Sequence, residues 1–193
     1  MKTKNVNSED EGKSVALRLL IHYYGDVHQP LHIANRYTKA EPKGDKGGND
    51  FLLKYHYTAN ELHAVWDTVI YQNHKSPKRP FTAATWADFK TTTDDFFKGL
   101  TVSKSDMESL DFAKFRDESA AIAQHVYDGL TEGKEAVVPQ SYIDKYNPIA
   151  RQRVAQASYR IVYMINDIFG SSHGYNLRPR GEKRKREEDS FLQ

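Results

Sequence analysis

Residues 15–32 read VALRLLIHYYGDVHQPLH, and the apolar residues of this stretch recur at helical rather than strand spacing. Upstream, Ser8 followed three positions later by Glu11 has the spacing of a reciprocal helix cap. At 100° per residue, Val15, Leu19, His22 and Asp26 fall within a sector of about 60°. An imidazole and a carboxylate therefore share the stripe expected to enter the core. Gly25 and Pro30 weaken regular helix ahead of His32, because proline removes a backbone donor and fixes φ.

Further along, NRYTKAEPKGDKGGND (35–50) replaces apolar periodicity with glycine, proline and charge, and reads as an irregular loop. Thr58 and Glu61 again have capping spacing, and His63, Trp66, Asp67 and Ile70 make one broad face, which predicts a helix from Thr58 to Tyr71. Residues 73–80 break the pattern, and TAATWADFKTTTDDFFKGL supplies shorter helical material. A further helix is expected from Asp106 to Leu130. A last one opens with Asn147 as cap and Pro148 in the first turn, and runs to Gly170. Core packing is the expected role of Trp66, Trp86, Met164, Ile165 and Ile168, and a helical charge network that of Arg116 and Glu118. The expected fold class is all-α, with one domain over residues 1–176 and no internal repeat or linker.

The 193 residues suffice for one domain, and the absence of cysteine excludes disulfides and thiolate metal sites. Against 28 basic residues stand 26 acidic ones, a net charge of +2. From Arg178 onward there are six basic and four acidic residues, so the whole excess belongs to the tail. Residues 177–193 are expected to be a solvated, disordered basic and acidic end, and the charge balance does not announce a nucleic-acid binder. No run approaches the roughly 18 apolar residues of a membrane span, so no membrane partner is indicated. The opening MKTKNVNSEDEGK lacks a secretory hydrophobic segment, a local pattern that favours a chain without N-terminal export.

His22 and Asp26 are four residues apart, and so are His63 and Asp67. On a helix that spacing stacks two donors over one site. A single pair is compatible with a hydrogen-bonded core pair, but two pairs and His32 together incur repeated desolvation costs unless something compensates them. His32, His63 and Asp67 make a two-histidine, one-carboxylate set that leaves room for water or phosphate. Zinc accepts these donors without a redox role; iron is accommodated by the same ligand types, and a metal-free structural cluster is the remaining alternative.

The ordered set IHYYGDVHQPLH, GDKGGND and NELHAVWD resembles the zinc-dependent, single-strand-preferring nucleases of fungi and plants and the related trypanosomatid nuclease/nucleotidases, and weaker similarity continues through FRDESA and YRIVYMIN. The resemblance implies a phospholipase-C-like helical fold with three zinc ions at the bottom of a cleft. By motif position it implies that His22 and Asp26 belong to a paired-metal centre whose two ions Asp26 bridges, and that His32, His63 and Asp67 hold the separate third zinc. It implies that Asn49 positions substrate, that Asp45 sets the loop carrying it, and that His28 positions neighbouring groups rather than ligating metal. The implied activity is hydrolysis of single-stranded DNA or RNA to 5′-phosphorylated products, with 3′-nucleotidase activity, in a secreted or lysosomal-type enzyme.

The resemblance also implies that this chain corresponds to the C-terminal portion of such a domain. The family's remaining paired-metal ligands, catalytic carboxylate and transition-state arginine find no counterpart position in it. Two other functions are therefore carried forward: a catalytically incomplete zinc-binding or nucleic-acid-binding remnant, and a zinc-dependent phospholipase.

Overall fold

The computed structural model describes residues 8–72 and 79–170. The tail from 177 to 193 and most of the expected break at 73–80 lie outside these residues. Helix α1 spans Glu9–Asp26, begins where the Ser8 side chain accepts from the Glu11 amide at 3.1 Å, and carries three acidic residues in its first turn, where the helix dipole favours them. It stops ahead of a single 3₁₀ turn, Pro30–His32, whose cap is the Gln29 side chain.

The expected helix from Thr58 is a correction. Residues Leu52–His56 (β1) and Ala59–Glu61 (β2) form an antiparallel hairpin, with His56 opposite Ala59 and Tyr57 in the left-handed region at the turn. The class is therefore mostly helical with one small sheet rather than all-α. Burial of one residue from each strand decided it: Leu53 and Ala59 enter the core, and the outer edge of β1 is covered because Gly133 donates to the Leu52 carbonyl and Lys54 to that of Ala136. Only then does α2, Leu62–Asp67, begin; beyond it the chain turns through left-handed Val69, Ile70 and Tyr71, all buried.

Helix α3, Ala83–Phe97, follows a reciprocal Thr82–Thr85 cap. The helix expected from Asp106 to Leu130 is split into α4, Lys104–Met107, and α5, Phe112–Ala123, because Ser103 and Asp111 each cap a new start. Helix α6, Gln140–Phe169, begins before the expected cap and carries Pro148 in its interior. An interior proline costs about 3 kcal/mol. The extra turns offset that by burying Tyr142 and Tyr146 against Trp66: the Trp66 indole donates to the Tyr142 hydroxyl at 2.9 Å, which donates to the Val126 carbonyl at 2.6 Å.

The main core joins Leu31, Phe51, Leu53, Leu62, Val65, Trp66, Tyr142 and Tyr146, so the 3₁₀ turn, the hairpin and α2 are fastened to the first half of α6. A smaller core of Tyr24, Val27, Phe115 and Met164 fastens α1 to α5 and the second half of α6. Here the expected inward stripe is corrected, since Val15 and Leu19 are 42% and 46% exposed. A competing stripe, Leu20, Tyr24 and Val27, faces inward because the Tyr24 ring meets Phe112 and Phe115 edge-on. Trp86, expected in the core, is 57% exposed and stacked on Phe89; of the four other core candidates Trp66 and Met164 are buried, Ile165 is half-buried and Ile168 is exposed. Among the described residues no helix is long and apolar enough to cross a membrane.

Candidate metal centre

His63 and Asp67 sit one turn apart on α2, and His32 reaches them from the end of the 3₁₀ turn. His63 Nδ1 lies 2.8 Å from the Gly47 carbonyl, to which it donates, leaving the Nε2 lone pair pointed at the site. That nitrogen is 3.6 Å from Asp67 Oδ2, while His32 Nε2 is 3.4 Å from Asp67 Oδ1. The two imidazole rings stand 4.6 Å apart, nearly perpendicular.

One ligand atom from each of the three residues lies within 4.8 Å of the others. Bonds of about 2.0–2.1 Å in a tetrahedron separate ligand atoms by about 3.3 Å, and each imidazole nitrogen lies close to that distance from one of the two Asp67 oxygens. Among the described residues this is the one group of three or more metal-capable side chains that converge.

The polar frame around Asp67 contains a residue that motif reading missed. Gln29 Nε2 donates to Asp67 Oδ1 at 3.0 Å, while its Oε1 accepts from the Leu31 amide. One side chain therefore caps the 3₁₀ turn and orients the carboxylate. Its signal was present, since a polar side chain directly before Pro30 is where a cap belongs. Burial pushes the Asp67 carboxyl up, but hydrogen bonds from His32 and Gln29 and the two imidazoles outweigh it and hold the group below its ordinary value. The His32 imidazole is raised by its hydrogen bond to Asp67, against burial and with help from the charges of Asp67 and Asp26.

His22 and Asp26 meet at 3.1 Å on adjacent turns of α1, on its solvent side. Asp45 is fully buried: its carboxylate accepts from the Arg36 amide at 3.0 Å and the Tyr127 hydroxyl at 2.6 Å. The same residue's carbonyl accepts from Asp50, so Asp45 folds the loop that supplies the Gly47 carbonyl to His63. Asn49 is exposed on that loop and donates to the Lys46 carbonyl at 2.7 Å.

His28 does not join the triad. It is buried, with Nδ1 2.6 Å from the Tyr24 carbonyl and Nε2 2.8 Å from Arg160. Burial and the Arg153 charge push its imidazole down to about 4, so it is neutral and accepts from Arg160. The charge network expected of Arg116 and Glu118 is also redistributed. Arg116 pairs with Asp117, whereas Glu118 takes Arg153 at 2.5 Å and Arg160 at 2.8 Å. Those arginines are seven residues apart on α6, on a stripe with Ala150, Ala157 and Met164 that is otherwise buried and apolar.

A family model described as S1/P1 Nuclease matches residues 1–170. Nuclease S1 of Aspergillus oryzae is 28% identical over 164 residues, which cover 79% of this chain and 54% of that protein. Endonuclease 2 of Arabidopsis thaliana is 28% identical over 160 residues, covering 80% and 52%. Nuclease P1 of Penicillium citrinum is 24% identical over 172 residues, covering 83% and 60%. The chain thus spans about half the length of the first two relatives. No solved structure is matched.

Proposed function

Because the chain belongs to the S1/P1 nuclease family, we propose that it holds one zinc ion at His32, His63 and Asp67 and grips a phosphate of single-stranded DNA or RNA there, with little or no cleavage by these residues alone. The observation that carries the proposal is the convergence of three donors on one point, with His63 held by the Gly47 carbonyl and Asp67 by the Gln29 amide. Zinc, when bound, supplies a Lewis acid for a phosphoryl oxygen. The protein's own residues supply the rest: Gln29 keeps Asp67 facing the histidines, Gly47 keeps His63 in the productive tautomer, and Asp45 keeps the 44–50 loop in place. Asn49, exposed on that loop, is the residue we assign to holding the nucleotide. A single-stranded substrate suits an open site because no base pair has to be broken before a nucleotide enters it.

A second reading rests on His22 and Asp26. Their adjacent donors are half of a further metal site, and the Asp26 charge already reaches His32. Completed by ligands beyond the described residues, this pair with Asp26 as the bridge would give the family's three-zinc, phospholipase-C-like centre. The activity would then be an endonuclease yielding 5′-phosphorylated products, with 3′-nucleotidase activity and a secreted or lysosomal-type setting.

The test is a paired binding and cleavage assay on labelled single-stranded DNA and RNA, with phosphatidylcholine vesicles as the phospholipase control. Expected are zinc-dependent binding that H63A abolishes, and turnover at least about 100-fold below that of nuclease S1, since several transition-state contacts would be missing. Zinc-dependent cleavage at a comparable rate would overturn the first reading in favour of the second. Absence of zinc-dependent binding would overturn both.

A further inference from the structure

Helix α1 ends at Asp26 with no basic residue in its own last turn. Carbonyls at a helix end need donors, and a cation there complements the dipole. The Tyr23, Gly25 and Asp26 carbonyls accept from the backbone amides of Val27, His28 and Gln29, and side chains supply the remaining donors along this segment. Ser119 Oγ donates to the Val27 carbonyl at 2.6 Å, Arg153 Nε to that of His28 at 3.3 Å, and His28 Nδ1 to that of Tyr24 at 2.6 Å. Arg153 also donates to Ser119 at 2.8 Å, and Arg160 to His28 Nε2 at 2.8 Å.

Two buried guanidiniums would repel each other here without a counter-charge, and Glu118 provides it. Its Oε2 accepts from both arginines and its Oε1 from Arg160 at 3.0 Å. Asp106 adds a second, more distant contact to Arg160 at 3.5 Å. Arg160 is 0% exposed, so this charge balance has no aqueous substitute.

The segment gripped in this way, from Tyr24 to His28, contains Asp26 and leads directly into Gln29, Leu31 and His32. We infer that Glu118, acting through Arg153, Arg160, Ser119 and His28, is a positioning residue of the metal centre, which locks the end of α1 so that Gln29 and His32 meet Asp67. The inference rests on the zinc reading above for the identity of the ligand, and on hydrogen bonds within the chain for the lock itself.

The experiment compares E118Q, the milder S119A and a control, M164A, in the same small core but without any hydrogen bond to the segment. Stability is matched by urea titration, zinc affinity is read by competition with a fluorescent chelator, and amide exchange is followed over residues 28–33 in metal-free protein. Expected is a roughly 10–100-fold loss of zinc affinity in E118Q, a smaller loss in S119A and little change in M164A at similar destabilisation. Exchange at 28–33 should accelerate in E118Q and S119A but not in M164A. If E118Q is too unstable to study, S119A against M164A decides alone. Equal zinc affinity and equal exchange in the variants and the control would overturn the inference, as would faster exchange without any loss of zinc. Uptake of no zinc by the wild-type chain, with the exchange difference intact, would refute the zinc reading while leaving the lock standing.

Discussion

Gly47 offers the sharpest mutational test of how the loop sets the metal centre. Its φ is +66°, and a Cβ placed there would lie 2.2 Å from the Leu31 carbonyl oxygen and 3.1 Å from that of Ala34. Alanine at this position first takes on the left-handed conformation, at about 1–2 kcal/mol. It must then retreat by about 0.8 Å to restore even a 3.0 Å approach, and because the obstacle is backbone, the loop or the 3₁₀ turn has to move, adding about 1–3 kcal/mol. The expected destabilisation of G47A is therefore about 2–5 kcal/mol. The same displacement stretches the Gly47 carbonyl bond to His63 Nδ1 from 2.8 Å and shifts the turn carrying His32, so zinc affinity should fall about 10–100-fold. The control is G99A: Gly99 is also left-handed, at +77°, with open space where its Cβ would go, and should show the conformational cost alone. Urea unfolding and chelator competition on both variants give the two numbers. A G47A chain no less stable than G99A, with wild-type zinc affinity, would refute the argument.

Other outcomes follow from buried groups. The His28 imidazole is held near 4 in the folded chain against 6.5 when exposed, so the unfolded chain takes up the extra proton as pH falls. Stability of the metal-free protein should decline from about pH 6.5 to about pH 4, by about 3 kcal/mol from this group, with Arg153, Arg160 and Glu118 facing it throughout; a pH-independent urea midpoint across that window would contradict it. Glu118 adds to acid loss at lower pH, because burial raises its carboxyl less than the arginines lower it; its stabilisation is complete above its ordinary value of 4.5 and disappears as pH falls through the lowered one. W66F removes the indole donor to Tyr142 and should cost about 1–3 kcal/mol, whereas W86F, on the exposed side of α3, should stay within about 0.5 kcal/mol in the same denaturant titration. In any longer, active form of the protein, D26N should abolish turnover because the amide keeps the shape but not the charge needed between two metals; unchanged turnover and metal content would exclude a bridging role.

The ends of α1 and the spacing of the candidate metal donors were legible because they depend on local chemistry. Ser8 announces α1, Gly25 and Pro30 announce its end, and the i, i+4 spacing of His63 and Asp67 survives whether α2 is long or short. Features decided by distant partners were not legible. Thr58 looks like a cap in isolation, but Leu53 and Ala59 are drawn into the core as opposite strands. Asn147 and Pro148 look like a helix start until Tyr142 and Tyr146 find Trp66. On α1, two apolar stripes compete, and only the position of Phe115 selects the one with Tyr24 over the one with Val15 and Leu19. Arg153 and Arg160, two basic residues of a long helix with no local motif, reveal their role only once Glu118 and the end of α1 are brought to them.

The most direct measurement is the zinc content of the purified 193-residue chain after equilibration with zinc and removal of excess, alongside H32A, H63A and D67A. Each variant must be shown folded by far-UV circular dichroism. The expected result is one zinc per wild-type chain and substantially less in each variant, because all three donors converge on one point. A wild-type chain that retains no zinc, or folded variants that retain as much as wild type, would contradict the assignment of His32, His63 and Asp67 as the metal centre.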